Sequence, residues 1–304
     1  MTVPSRACLI TPAHRPGLWR KSRGAGADMV ILDLEDGVPP NAKAEARTAV
    51  AEALAEGPWE RPALGIRING LDSAWAISDL LAIGSAEGWP ATIVVPKVND
   101  RSVVEWVATT LDQLGAPMPD RGGPAIDALI EDVRGLSRLD TIAAASPRMR
   151  ALIFGPGDYS ASQGIRLDLC EPQHRLANEL WNHARERIVV AARAAGLAAI
   201  DGPYVQIADL EGLDIDSAWA ARRGFAGRLV IHPSHVAPVV AAFSPTEAEF
   251  AAARRLLDVM AGAGESSRGA IELDGMMVDA AQVRLARYIL SLSEQNSAQI
   301  GKNA

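Results

Sequence analysis

Short runs of consecutive apolar residues recur along the first three quarters of the chain. They are Ala7–Thr11, Met29–Leu32, Leu64–Ile68, Thr92–Val95, Ala125–Ile130, Ala151–Phe154, Ala198–Ile200 and Leu229–Ile231. Each is too short for a buried helix and too continuously apolar for a half-exposed antiparallel strand. Each therefore predicts a strand buried on both faces. Several of the stretches between them show helical spacing of apolar residues: Ala42–Ala55, opened by Asn41 as a cap, then Leu71–Gly84, Val103–Leu114, Leu136–Ala145 and His174–Ala195. Eight alternations of this kind predict a (β/α)8 TIM barrel. A doubly wound open sheet is the alternative. It would normally show a Gly-rich turn after the first strand, and none follows Thr11.

After the eighth run the pattern changes. Ser244-Pro245-Thr246-Glu247 reads as a capped helix start, with Ser244 as the cap and Glu247 closing a capping box. That helix is expected to stop near Met260, before Gly262 and Gly264. A short run Ala270–Leu273, a turn at Asp274-Gly275 and a last helix over Val278–Leu292 follow. The expected division is a barrel domain over 1–243 and a C-terminal helical extension over 244–304, which either contacts a neighbouring subunit or pads its own barrel.

The composition narrows the function classes. The chain has 304 residues, 48% hydrophobic and 22% charged, with a formal net charge of -7. That balance excludes nucleic acid and anionic membranes as main partners, because both need a basic face. No apolar run is long enough to span a bilayer or serve as a signal peptide. Cys8 and Cys170 lie in no CxxC and read as free thiols, so the cytoplasm is the expected location.

In a barrel of this type the chemistry collects at the C-terminal ends of the strands. Nearly every predicted strand delivers an ionisable residue there. The second gives Asp33, Glu35 and Asp36. The third gives Arg67 and Asn69, the fourth Lys97 and the fifth Glu131. The sixth runs into Gly155-Pro156-Gly157-Asp158, the seventh into Asp201 and the eighth into His232. Arg67, inside an apolar strand, must be paired. Its partner is either Glu35 or Asp36, or a substrate carboxylate that it clamps. Glu131 and Asp158 are the two carboxylates that Mg2+ favours, since that ion takes few protein groups and keeps open positions. The bland alternative is that each caps the helix after it. The glycines before Asp158 would let backbone N–H groups approach a bound carboxylate. Asp201 and His232 read as structural, Asp201 bracing the turn at Gly202.

The same residues carry a resemblance. LDLEDGVPPNAKAEAR, RINGLDS, VPKV, LIEDVRGL, FGPGDYSASQG, AIDGPY, GFAGRLVIHPSHV, AFSPTEAEFAAARRLLD and DGMMVDAAQVRLAR are similar, in order, to blocks of the HpcH/HpaI aldolase family. They most resemble its citrate lyase beta-subunit-like branch, with malyl-CoA and citramalyl-CoA lyases. The resemblance implies a Mg2+-dependent barrel lyase that assembles as a homotrimer or a dimer of trimers. It implies metal ligands at Glu131 and Asp158, an acid-substrate clamp at Arg67 and an acidic loop at Glu35 and Asp36 near the metal water. It also implies an acid/base at Asp279 that reaches a neighbour's site, and coenzyme A near Arg15, Arg20 and Lys21. Three positions depart from the family pattern. Asp132-Val133 stands where Thr-Ala is frequent, Ala280 where proline is frequent and His235 where glutamine is frequent. Asp132 places a further negative charge beside a metal ligand, which could alter metal affinity.

The expected reaction is cleavage or formation of a 3-hydroxyacyl-CoA thioester, yielding a keto acid and an acyl-CoA. The alternatives are hydrolysis of malyl-CoA by a thioesterase, a citrate lyase beta subunit acting on a carrier-protein thioester, and a non-catalytic binding module.

Overall fold

The computed structural model of the chain describes residues 5–57, 59, 61–167, 171–262 and 271–297. Cys170 and Gly264 lie outside the described residues. The chain divides into two compact units, Met1–Phe243 and Ser244–Ala304.

In the first unit every apolar run becomes a strand, with ends shifted by at most two residues. The strands are β1 (Ala7–Pro12), β2 (Met29–Asp33), β3 (Ala63–Arg67), β4 (Thr92–Val95), β5 (Ala125–Ile130), β6 (Met149–Phe154), β7 (Ala198–Asp201) and β8 (Gly227–Val230). They pair in parallel in chain order, and β8 closes on β1. The helices follow in the same order. They are α1 (Pro16–Ser22), α2 (Lys43–Ala55), α3 (Ala76–Gly84), α4 (Arg101–Gln113), α5 (Val133–Ser137), α6 (Leu139–Ala143), α7 (Pro156–Gln163), α8 (Gln173–Leu180), α9 (Asn182–Ala194), α10 (Leu210–Arg223) and α11 (Val236–Ala242).

Burial on both faces of the sheet produces two cores. The larger lies between strands and helices and includes Leu32, Ile66, Val95, Ile130 and Phe154. The smaller fills the barrel and includes Cys8, Met29, Ile31, Val94, Leu129, Ile153 and Leu229. Alternation along a strand assigns residues to the two sides. Ile31 is inside, so Asp33 is inside. Leu129 is inside, so Glu131 follows it at the mouth.

Several helix boundaries differ from the sequence expectation, each for a local reason. Asn41 caps nothing, because Pro40–Ala42 forms a 3-10 turn that leads into α2. Leu71–Trp75 stays out of α3. The Ser73 hydroxyl donates to Gly70 O and accepts the Trp75 N–H, local bonds that compete with helix formation. His174–Ala195 breaks at Trp181, whose buried indole N–H donates to Ser160 Oγ at 2.8 Å. Leu136–Ala145 is likewise split, at Arg138, where the backbone leaves the helical region (φ -120°, ψ 18°).

Asp201 does not brace a turn with Gly202. It lies in a buried cluster with Arg185, Asp216 and Arg228 that ties β7 and β8 to α9 and α10. Arg185 Nη1 meets Asp216 at 3.0 Å and its Nε donates to Asp201 at 3.2 Å. Two cations and two anions balance, which is what allows charge to sit there at all.

In the second unit the helix α12 (Glu247–Gly262) is capped one register later than expected. Thr246 is the cap, and its N–H and hydroxyl both donate to Glu249 at 2.8 Å, while Glu249 N–H returns to Thr246. Ser244-x-x-Glu247 and Thr246-x-x-Glu249 have the same spacing. A hairpin of β9 (Ile271–Leu273) and β10 (Met276–Val278) turns through Asp274 and Gly275, both at positive φ. Then comes α13 (Ala280–Ser297). Among the described residues, no helix is long and apolar enough to cross a membrane.

Breaking the four-charge cluster is the most disruptive single polar change the barrel offers. Asp216→Ala is expected to cost about 3–5 kcal/mol, because it strands a buried guanidinium. Chemical denaturation of wild type and variant measures this, and a loss below 1 kcal/mol would mean the cluster is not the brace described.

Candidate active site

The mouth of the barrel is built from the ends of β2 to β6. Asp33 and Arg67 are register partners on neighbouring strands. Arg67 donates to Asp33 through Nε at 2.6 Å and Nη2 at 2.7 Å, a two-pronged pair. Asp33 also accepts the N–H groups of Glu35 and Gly37, each at 2.9 Å. It therefore shapes the acidic turn as well as fixing the guanidinium. The internal partners that the sequence offers Arg67, as the alternative to a substrate carboxylate, are Glu35 and Asp36. Its principal partner is Asp33, with Glu35 Oε2 at 3.2 Å from Nη1. Alternation from Ile31 was the signal that could have found Asp33. Burial opposes the charge on Arg67, and Asp33 more than offsets it, so the group is held above its ordinary pKa.

Glu35 is buried and Asp36 is exposed. Beneath the turn, Lys43 of α2 donates to the carbonyls of Leu34 and Glu35 and to Asn69 Oδ1, at 2.7, 2.8 and 2.6 Å. Asn69 in turn donates to Asp79 through its N–H and side-chain amide. This network, unread in the sequence apart from naming Asn69, holds the loop that carries Glu35. Glu35 receives ion pairs from Arg67 and from Lys97 Nζ, the latter at 3.3 Å, yet both its oxygens lack an aligned hydrogen bond. Burial pushes its pKa up to about 7, reinforced by Asp36 and Asp33 and opposed by Arg67 and Lys97.

Glu131 stands at the end of β5. Its Oε1 accepts the backbone N–H of Lys97 at 2.7 Å. A Cβ at position 155 would lie 2.6 Å from Glu131 Cβ and 2.7 Å from Oε2, so only glycine fits there. Burial pushes Glu131 up to about 8, helped by the charges on Glu35 and Asp158 and opposed by the Lys97 N–H and Arg67. Gly155 caps α7, Pro156 opens it and Asp158 is exposed in its first turn. The first-turn N–H groups of Gly157 and Asp158 have no acceptor within the helix.

This donor set fits a hard divalent cation. Both candidate ligands, buried Glu131 and exposed Asp158, are carboxylates, buried Glu35 beside them lacks hydrogen bonds, and the repulsion of Glu35 and Asp158 on Glu131 is what a cation would relieve. Among the described residues, no three His, Cys, Asp or Glu side chains form a ready-made cage. That suits Mg2+, which keeps most of its positions for water and substrate.

Other expected residues fall elsewhere. Asp132 caps α5, accepting the Arg134 N–H at 2.7 Å and pairing with its guanidinium at 3.3 Å. Burial opposes its charge, but these bonds hold its pKa below the usual range. Its charge is thus spent on the helix. His232 accepts the Ser234 N–H at 3.2 Å and caps a 3-10 turn, as a structural residue would. His235 is buried, with Nε2 3.0 Å from Ile207 O. Arg15 sits at the mouth end of α1. Arg20 and Lys21 are exposed near the other end of α1, which descends from the mouth. Arg20 pairs at 2.6 Å with Glu56, at the far end of α2. In the second unit Asp279 caps α13, with Oδ1 accepting the Ala281 N–H at 2.6 Å and its own N–H donating to Gln282 at 3.0 Å.

Residues 6–233 match the HpcH/HpaI aldolase/citrate lyase family. The chain belongs to that family. It is an enzyme of the carbon–carbon lyase class. It is 33% identical over 97% of its length to an L-malyl-CoA/beta-methylmalyl-CoA lyase of Cereibacter sphaeroides, covering 96% of that protein. It is 30% identical over the same share to a (3S)-malyl-CoA thioesterase of that species, covering 96% of it. A crystal structure of CitE from Mycobacterium tuberculosis, in complex with magnesium, acetoacetate and coenzyme A, superposes with a TM-score of 0.77. It is 31% identical, with 97% of this chain and all of that one covered.

The raised carboxyl groups make a pH prediction. In the metal-free fold Glu131 near 8 and Glu35 near 7 hold protons that the unfolded chain would release near 4.5. Raising pH from 5 to 9 is therefore expected to destabilise the metal-free protein and to tighten Mg2+ binding, with proton release on binding. Calorimetric titration in buffers of different ionisation enthalpy measures the protons released. Metal affinity that is flat across this range would contradict the assignment.

Proposed function

We propose that this protein is a Mg2+-dependent lyase that cleaves, or forms, a 3-hydroxyacyl-CoA thioester such as malyl-CoA or citramalyl-CoA. The products of cleavage are a keto acid and an acyl-CoA. The observation that carries this is the meeting, at one barrel mouth, of two buried carboxylates short of donors with an arginine immobilised by a third. The full-length likeness to a CoA-thioester lyase supports the substrate class.

Glu131 and Asp158 would hold the metal. When bound, Mg2+ polarises the substrate's hydroxyl or keto oxygen and offsets the charge of its carboxylate. Asp33 occupies the Nε/Nη2 edge of Arg67, so a keto-acid carboxylate would pair at the Nη1/Nη2 edge, beside the Glu35 oxygen that lies 3.2 Å from Nη1. A guanidinium already locked in place loses little freedom on binding. In cleavage a base at the mouth takes the hydroxyl proton, the carbonyl of the keto acid forms as the C–C bond breaks, and that bond's electron pair passes to the thioester as an enolate. A proton delivered to that carbon gives the acyl-CoA. Asp279, contributed by a neighbouring subunit of a trimer or hexamer, is the acid proposed for this step. Arg15, at the mouth end of α1, is a cation proposed to meet coenzyme A phosphates.

Product analysis with malyl-CoA and Mg2+ tests the reading. Glyoxylate and acetyl-CoA are expected. Free malate and coenzyme A would mean that the chain is a thioesterase, as one relative is.

Asp279→Ala is expected to lower turnover by roughly 10²–10⁴-fold while Mg2+ still binds. Mixing it with Glu131→Ala subunits, after dissociation and reassembly, should restore part of the activity. A mixed interface in which the Asp279→Ala subunit supplies the barrel and the Glu131→Ala subunit supplies Asp279 then pairs an intact metal site with an intact acid. Hybrids that assemble without recovering activity would remove Asp279 from the neighbour's site.

A further inference from the structure

Lys97 is one of two non-glycine residues at positive φ among those described, at 54°. The other lies in the hairpin turn of the second unit. A lysine gains nothing from that conformation by itself, and such positions persist where surrounding structure imposes them. Here the purpose can be read from the strand. Val94 faces the barrel interior, so alternation would send residue 97, three further on, to the outside. The left-handed step overrides this. It brings Nζ to 3.3 Å from Glu35 Oε1, while the N–H of the same residue donates to Glu131 Oε1 at 2.7 Å. Pairing with β5 then resumes, since Val98 N–H donates to Leu129 O at 3.2 Å. The stem lies against Gly70, where a Cβ would sit 3.3 Å from Lys97 Cδ.

We infer that Lys97 is a positioning residue with two separable tasks at the metal site. Its left-handed backbone engages one oxygen of Glu131 and leaves Oε2, on the Gly155 side, for the cation. Its ammonium holds Glu35 as an ion-pair partner and keeps that carboxylate from competing as an extra ligand. The inference rests on Glu131 as a metal ligand. Asn and Gly accept left-handed backbone without carrying charge, whereas β-branched residues resist it. The two tasks can therefore be separated by substitution.

The experiment measures the Mg2+ dissociation constant by calorimetry, and pyruvate binding at saturating Mg2+, for wild type and for Lys97→Asn, Lys97→Gly, Lys97→Val and Lys97→Arg. Lys97→Asn and Lys97→Gly are expected to bind Mg2+ several-fold more tightly and pyruvate about tenfold more weakly, because the cation goes and Glu35 is released to the metal. Lys97→Val is expected to bind Mg2+ about tenfold more weakly than Lys97→Asn, because the Glu131 contact moves. Lys97→Arg should restore pyruvate binding. Equal Mg2+ affinity in the Asn and Val variants would overturn the backbone task. Unchanged pyruvate binding in the Asn and Gly variants would overturn the ammonium task. Glu131→Gln is the control: if it keeps wild-type Mg2+ affinity, the metal assignment itself fails, and this inference with it.

Discussion

The pairing of Arg67 with Asp33 is the interaction on which the mouth of this barrel depends. It joins the ends of two adjacent strands in register and neutralises a guanidinium that could not otherwise lie so deep. Asp33 has oxygens to spare, and it spends them on the N–H groups of Glu35 and Gly37. One carboxylate thus sets the orientation of the arginine and the shape of the acidic turn together. Lys43 completes the support from below by taking the carbonyls of the same turn.

This arrangement accepts electrostatic cost at one place. Glu35 and Glu131 are both buried, the charge on Glu35 adds to the raised proton affinity of Glu131, and Glu35 has no aligned hydrogen bond on either oxygen. A folded chain tolerates such repulsion where something else repays it, and a divalent cation does so through charge and coordination together. Elsewhere the barrel avoids the problem. Arg185, Asp201, Asp216 and Arg228 form a balanced set, and Asp127 pairs with Arg150 inside the barrel. The contrast between balanced clusters in the body and an acidic excess at the mouth separates structural charge from functional charge.

In the function proposed above, the substrate anion would lie between Arg67 and the metal. Burial excludes water from Arg67 and Glu131, which strengthens any charge interaction formed there. The asymmetry between Glu131, with one oxygen occupied by the Lys97 N–H, and Asp158, exposed on a helix first turn, matches a site that must hold a cation and admit a substrate. Rigid strand ends supply the first residue and a loop-borne helix start supplies the second.

The sequence alone determined the barrel and the rim. Continuous apolar runs have only one economical use at this length, and parallel strands in one barrel all end at the same face, so residues after the runs had to converge. Glu131, Asp158, Arg67 and Glu35 were legible for that reason. What it could not determine was which of several charges would meet. Asp33 and Glu35 lie two residues apart and look alike along the chain, and only the register of β2 against β3 selects Asp33 as the partner of Arg67. Asp132 looked like a charge added to the metal site until its backbone placed it as a helix cap. Arg20 looked available until the direction of α1 carried it to Glu56. Lys97 was legible only as an ionisable residue at a strand end, because a left-handed backbone leaves no mark in composition or spacing. Local pattern reports burial and period. Pair choice, helix direction and backbone handedness arise from contacts between segments far apart in the chain, and those exist only once the barrel has closed.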